Sequence, residues 1–216
     1  MRPRLARRGH SALGPLHQHD DLGASLTQIS LLTDHARRDS ANSRAVAADV
    51  EKIAETARHT AEAAEEIVWT VNPRHDSLDS VATYLCQLAR EHLENTDIRL
   101  RLDLPDSLPD VPLPSDVRHN LVLFVKEAIH NAVKHSAAHQ VSVGLICNHA
   151  TLVLSVADDG RGIGLATADS KSHRCSTGNG LPNMRQRIES IGGRFELRSQ
   201  PGQGTTVQAT VKLSRV

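Results

Sequence analysis

The apolar pattern of this chain first leaves the helical period near residue 98, and that change marks where strands begin. Up to about residue 95, apolar side chains recur every three or four positions. Leu22, Leu26 and Ile29 (with Leu32 slightly off phase) trace one stripe. Val46, Val50, Ile53, Ala57, Ala61, Ala64 and Val68 trace a second, and Val81, Leu85, Leu88 and Leu93 a third. From Ile98 the spacing drops to two, through Leu100, Leu102 and Leu104. The first stretch therefore predicts amphipathic helices, and the second a half-buried sheet.

Residues 39–43, Asp-Ser-Ala-Asn-Ser, read as a turn between two helices at about 16–36 and 44–70. Pro15 suits the opening of the first helix, and Asn72-Pro73 stops the second. The expected product is an antiparallel hairpin with an uncovered apolar stripe. Two hairpins cover each other as a four-helix bundle, so a homodimer through residues 15–72 is expected. Residues 1–14 read as a divergent or disordered tail, and 73–97 as a linker and connecting helix. Residues 98–216 form the second domain, with strands from Ile98, Val141, Thr151, Phe195 and Thr205 and helices over 117–136 and 181–191. Strands on one side and helices on the other make a two-layer α/β sandwich.

With 2% aromatic residues, the core must be aliphatic. The 25 basic and 25 acidic residues cancel, which gives no electrostatic reason for direct nucleic-acid binding. No apolar run approaches the roughly 18 residues of a membrane span, and Met1–His10 lacks the apolar stretch of a signal peptide. Cys86, Cys147 and Cys175 have neither metal nor redox spacing. The expected location is the cytoplasm, either alone or as the cytoplasmic part of a longer or membrane-linked sensor system.

Three segments of the second domain carry candidate chemistry. Glu127 and Asn131 are four apart and share a helix face, with Lys134 three further on and His135 beside it. Carboxylate and amide oxygens suit Mg²⁺, and an ammonium neutralises phosphate. Asp158-Asp-Gly160-Arg-Gly162-Ile-Gly164 follows a strand, where a carboxylate can accept from an adenine amino group and glycines admit close backbone approach. Gly178-Asn-Gly180-Leu181 precedes a helix whose first N–H groups can face phosphate. Thr205, behind Pro201-Gly-Gln-Gly204, closes a tight hairpin toward the adenine side. Taken singly, these read equally well as a solvated helix face and ordinary glycine turns. The spacing fits neither a P-loop nor a dinucleotide fingerprint.

In order and spacing, the segments resemble the N, G1, G2 and terminal glycine boxes of the GHKL (Bergerat) ATPases, over roughly residues 98–213. The phrasing Gly178-Asn-Gly-Leu-Pro-Asn-Met-Arg-Gln-Arg187, Gly192-Gly193 and Pro201-Gly-Gln-Gly-Thr205 is similar to histidine kinases of the nitrate/nitrite-sensor and DesK-like class. The resemblance implies ATP and Mg²⁺ as cofactors, with Glu127 and Asn131 at the metal. It implies nucleotide contacts from Asn131, Lys134, His135, Asp158, Gly160, Gly162, Gly164, Gly178, Gly180, Leu181 and Thr205. Residues 164–178 would form a lid.

His19-Asp20-Asp-Leu-Gly23, before Leu26-Thr27, resembles the H-box of the same class, and Glu66–Arg74 resembles its hairpin exit. His19 is then the phosphoacceptor nucleophile and Asp20 its base. The partner implied is a response regulator receiver domain with a helix-turn-helix output. Two departures stand out. His10–Gln18 interrupts the charged helical run usual before the acceptor. Ala24 replaces the Gln that many members hold there, so phosphatase activity is expected to be weak. The alternative reading is a catalytically impaired, kinase-like ATP-binding dimeric scaffold that binds a response regulator.

Overall fold

The structure is a computed structural model that describes residues 14–38, 43–148, 150–163 and 180–213, without the side chains of residues 14–22 and 59. The chain divides into two compact units, Met1–Trp69 and Thr70–Val216.

The first unit is helical. Helix α1 spans Gly14–Arg38 and α2 spans Ser43–Val71, whose last two residues count with the second unit. His35 Nδ1 meets Asp49 Oδ2 at 2.6 Å, tying the last turn of α1 to the second turn of α2. Leu26, Leu31 and Val50 are exposed in the single chain. Among the described residues, no helix is long and apolar enough to cross a membrane.

The second unit is a five-stranded sheet carrying helices. A short 3₁₀ turn, Pro73–His75, leads to helix α3 (Leu78–Leu93), whose cap Ser77 accepts from Ser80 N. Strand β1 is Arg99–Asp103, helix α4 Ser115–Asn131, strand β2 Gln140–Cys147 and strand β3 Thr151–Asp158. Helix α5 (Gly180–Ser190), strand β4 (Arg194–Ser199) and strand β5 (Thr205–Lys212) follow. The strand order is β1-β2-β3-β5-β4, parallel between β1 and β2 and antiparallel elsewhere. The parallel pair requires a crossover, which α4 supplies.

Burial follows the period-two pattern. Val141, Val143 and Leu145 of β2, Leu152, Leu154 and Val156 of β3, and Val207, Ala209 and Val211 of β5 are buried, while their neighbours along each strand are not. The helices answer with Val81, Leu85 and Leu88 from α3, Leu121, Phe124, Val125 and Ile129 from α4, and Met184 and Ile188 from α5. Phe124 meets Phe195 edge to face at 6.3 Å, fixing α4 over the far edge of the sheet. Arg185 stacks over the same Phe195 ring at 5.0 Å.

One expected helix ends differently. The reading of residues 117–136 as a single α-helix is corrected: α4 stops at Asn131, and a π-helical turn covers Ala132–Ser136. Ser136 Oγ donates to Ala132 O at 2.5 Å, and Ala137 leaves the turn in the left-handed region at φ 53°. The α-helical spacing that set Lys134 beside Asn131 is not kept through this turn, where Lys134 is exposed.

Candidate functional site

The C-terminal end of α4 carries the first part of the site. Its apolar stripe is buried, which leaves Glu127 and Asn131 half-exposed one turn apart. Asn131 Nδ2 donates to Glu127 Oε1 at 3.1 Å. That bond fixes the amide, so its Oδ1 points away from the carboxylate it would otherwise repel.

Gly180 opens α5 directly against this pair. A β-carbon built on Gly180 would strike the Glu127 carboxylate and reach 3.4 Å from Asn131 Nδ2. Glycine lets the carboxylate sit there, since any side chain would push the end of Glu127 aside. The start of α5 presents backbone N–H groups and the positive end of its dipole to the Glu127 side. Two segments about fifty residues apart in the sequence thus converge. Leu181 is half-buried in the first turn of α5.

The loop after β3 is built from reciprocal hydrogen bonds. Asp158 Oδ1 accepts from Gly160 N at 2.9 Å, and Asp159 Oδ1 accepts from His139 N and Gln140 N at 2.8 and 2.9 Å. Arg161 N donates to Ser136 O at 2.8 Å, and any β-carbon on Gly160 would strike that carbonyl. The π turn and the loop therefore lock together. Gly202 N donates to Arg161 O at 2.7 Å, and Ile163 N donates to Ser199 Oγ at 2.7 Å. Ser199 Oγ and Thr205 Oγ1 stand 3.0 Å apart, and Thr205 pairs with Asp158 across β3 and β5. Asp158 and Thr205 are thus side by side at one end of the sheet.

Burial raises the Asp158 carboxyl above its ordinary range. The N–H groups of Gly160 and Thr205 pull it back in part, and the neighbouring Asp159 charge adds to the rise. Asp159 moves the other way, mainly because Gln140 N–H bonds its charged form. His135 is half-buried on the π turn.

Of the remaining anticipated residues, Gly164 and Gly178 lie outside the described residues, as does the whole segment 164–178 read as a lid. His19 and Asp20 fall within α1, but their side chains lie outside the description. Among the described residues, no three His, Cys, Asp or Glu side chains cluster as a metal site. Glu127 and Asn131 nevertheless offer two hard oxygen donors side by side. That suits Mg²⁺, which takes one or two protein oxygens and completes its shell with water and phosphate.

Three participants escaped sequence reasoning. Ser136 and Ser199 hold the loop after β3, and no pattern distinguishes them from other serines. Arg118 is different: it lies three, four, seven and eleven residues before the buried Leu121, Val122, Val125 and Ile129. A charge on an apolar stripe is the signal that marks it.

The five-stranded mixed sheet covered by helices, with an Asn–Glu pair and glycine turns at one end, is a GHKL-like arrangement. Residues 116–215 match the family described as "Histidine kinase-, DNA gyrase B-, and HSP90-like ATPase". The chain is 28% identical to the sensor histidine kinase LnrJ of Bacillus subtilis over 214 residues, covering 99% of this chain and 48% of that protein. It is 31% identical to the sensor protein VraS of Staphylococcus haemolyticus over 108 residues, covering 50% of this chain and 29% of that one. The chain thus spans about half the length of the first relative and less of the second. Among solved structures, the Acinetobacter baumannii histidine kinase AdeS aligns with a TM-score of 0.56 at 15% identity, covering 88% of this chain and 96% of that one. The blue-light activated histidine kinase EL346 of Erythrobacter litoralis aligns with a TM-score of 0.54 at 18% identity, covering 88% and 63%. At such identity the structural likeness shows the fold. Residues 116–215 thus match an ATPase domain of that family, and the chain is similar along 99% of its length to a sensor histidine kinase.

Proposed function

We propose that this chain binds ATP with Mg²⁺, phosphorylates itself on His19 and passes the phosphoryl group to an aspartate of a response regulator. The observation that carries the reading is the meeting of Gly180 with Glu127 and Asn131, which brings a helix N-terminus to an oxygen-donor pair. Asp158 and Thr205 receive the adenine edge. Gly160 and Gly162, with Gly164 and Gly178, let backbone approach the nucleotide. Lys134 and His135 lie on the phosphate side, and Leu181 lines the start of α5. When bound at Glu127 and Asn131, Mg²⁺ would screen the charge of the phosphates.

In the transfer step, a lone pair of the His19 imidazole forms a P–N bond as the bond from the γ-phosphorus to the ADP oxygen breaks. Asp20 holds or takes the proton of the other ring nitrogen. Positioning and charge neutralisation supply most of the acceleration. The proposed assembly is a homodimer through residues 15–72, paired as a four-helix bundle. The exposed Leu31 and Val68, each 65% accessible in the single chain, support it. Residues 73–97 act as linker and connecting helix, and 98–216 as the catalytic domain. We assign the chain to the nitrate/nitrite-sensor and DesK-like class, acting in the cytoplasm on a regulator with a helix-turn-helix output.

The test is a two-stage transfer. The chain is incubated with γ-labelled ATP and Mg²⁺, then mixed with a purified receiver domain. Label that enters the chain and then leaves it for an aspartate of the receiver supports the proposal. Nucleotide binding without labelling of either protein would instead favour the scaffold.

A further inference from the structure

Helix α4 begins with a cation in a place suited to an aliphatic side chain. Arg118 is 3% exposed and sits on the buried stripe of the helix. Its bonds run to backbone carbonyls of two separate segments. Nε and Nη2 donate to Thr70 O at 3.1 and 2.5 Å, and Nη2 also donates to Asn72 O at 3.3 Å. Nη1 donates to Leu113 O at 2.7 Å. Asp76 and Asp116 lie near enough to offset part of the burial electrostatically.

Thr70 and Asn72 flank the C-terminal end of α2, where carbonyls lack helical partners and the dipole is negative. The planar guanidinium answers both conditions, with five donors in a fixed fork and a permanent charge. The same segment is stitched again: Leu113 N donates to Asp76 O at 2.7 Å, and Ser77 bridges Pro112. All these residues belong to the Thr70–Val216 unit. Glu127 and Asn131 lie nine and thirteen residues further along α4, about 13–20 Å at 1.5 Å per residue. One helix therefore joins the exit of α2 to the oxygen-donor pair.

We infer that Arg118 is a positioning residue that clamps the C-terminal carbonyls of α2 to the start of α4, so that the state of that helix end sets the placement of Glu127 and Asn131 and hence the rate of phosphoryl transfer. The inference rests on the transmitter reading. It gives the Thr70–Asn72 segment a mechanical route to the nucleotide site that does not pass through ATP.

The experiment uses the full chain with Arg118→Met, which keeps the bulk, and Arg118→Lys, which keeps the charge but loses the fork. Amide hydrogen exchange is followed over residues 70–76 and over the β3 core, alongside label uptake as a function of ATP concentration. The clamp predicts protection over 70–76 falling about tenfold in Arg118→Met with β3 unchanged, and less in Arg118→Lys. It predicts a kcat roughly ten- to hundredfold lower with KM nearly constant. Exchange unchanged at 70–76, or raised equally throughout β3, would overturn it, as would a rise in KM at constant kcat. If the parent chain takes up no label, the kinase reading falls. The exchange pattern alone then decides the clamp, local loss sustaining it and uniform or absent loss overturning it.

Discussion

Asn131 donates its side-chain amide to Glu127 Oε1 across 3.1 Å, one turn back on α4. The two form a unit in which the carboxylate orients the amide. Asn131→Asp keeps an oxygen donor but deletes the hydrogen-bond donor and sets two like charges one turn apart. We expect label uptake to fall about a hundredfold, a magnitude typical of losing one oriented polar group at a transfer site. Both residues are half-exposed, so stability should shift by only about 0.5 kcal/mol. Initial labelling rates and a urea titration together check the split.

Gly180 makes a separate prediction. A single methyl there must displace the Glu127 carboxylate or the start of α5. Because Glu127 is half-exposed and flexible, the cost in stability should stay at about 0.5 kcal/mol, while the carboxylate loses its place. Gly180→Ala should weaken Mg·ATP binding about tenfold while the folded core persists, read by calorimetric titration with a non-hydrolysable ATP analogue. Unchanged affinity would show that the nucleotide does not depend on this junction.

The glycine turn after β4 separates backbone strain from close approach. Gly202 and Gly204 both have positive φ, 76° and 80°. Nothing lies within 4 Å of a β-carbon on Gly202, whereas one on Gly204 would strike the Asp158 carbonyl. Gly202→Ala should cost about 1 kcal/mol from backbone strain alone. Gly204→Ala should cost about 1–3 kcal/mol more, because the strand end must also move. Denaturant midpoints of the two variants measure the difference.

Asp158 links recognition to pH. Burial is the main cause of its raised carboxyl pKa, so the folded state binds its proton more tightly than the unfolded chain. Stability therefore falls as pH rises from about 3.9, the unfolded value, through the raised folded value, and the cost remains above it. Asp158→Asn carries no such cost. It should match or exceed the parent's stability at pH 7, with the difference closing below about pH 4. Nucleotide affinity at pH 7 should nonetheless fall about tenfold, since a neutral amide accepts more weakly from adenine than a carboxylate. A variant that is less stable at pH 7 would contradict the sign.

Much of this was legible in the sequence because it is local. The switch from helical to alternating spacing near Ile98 marks where helices give way to sheet, and the Glu127–Asn131 spacing alone places both on one face. The π turn was not legible. Ala132, Val133, Lys134 and His135 carry no helix-breaking residue, and the departure is fixed by Ser136 folding back on Ala132 and holding Arg161. The Gly180–Glu127 contact depends on topology, which single-sequence periodicity does not encode. Arg118 was visible as a charge on an apolar stripe, but its partners, the carbonyls of Thr70 and Asn72, lie nearly fifty residues away and carry no side-chain signal.

The central claim is autophosphorylation on His19, and radiolabel transfer from γ-labelled ATP with Mg²⁺ tests it most directly, comparing the parent chain with His19→Gln. The account predicts acid-labile, alkali-stable label on the parent and none on the variant, with nucleotide affinity equal in both. Label retained by His19→Gln would contradict the assignment of the acceptor, and a parent chain that binds nucleotide but takes up no label would contradict the kinase itself.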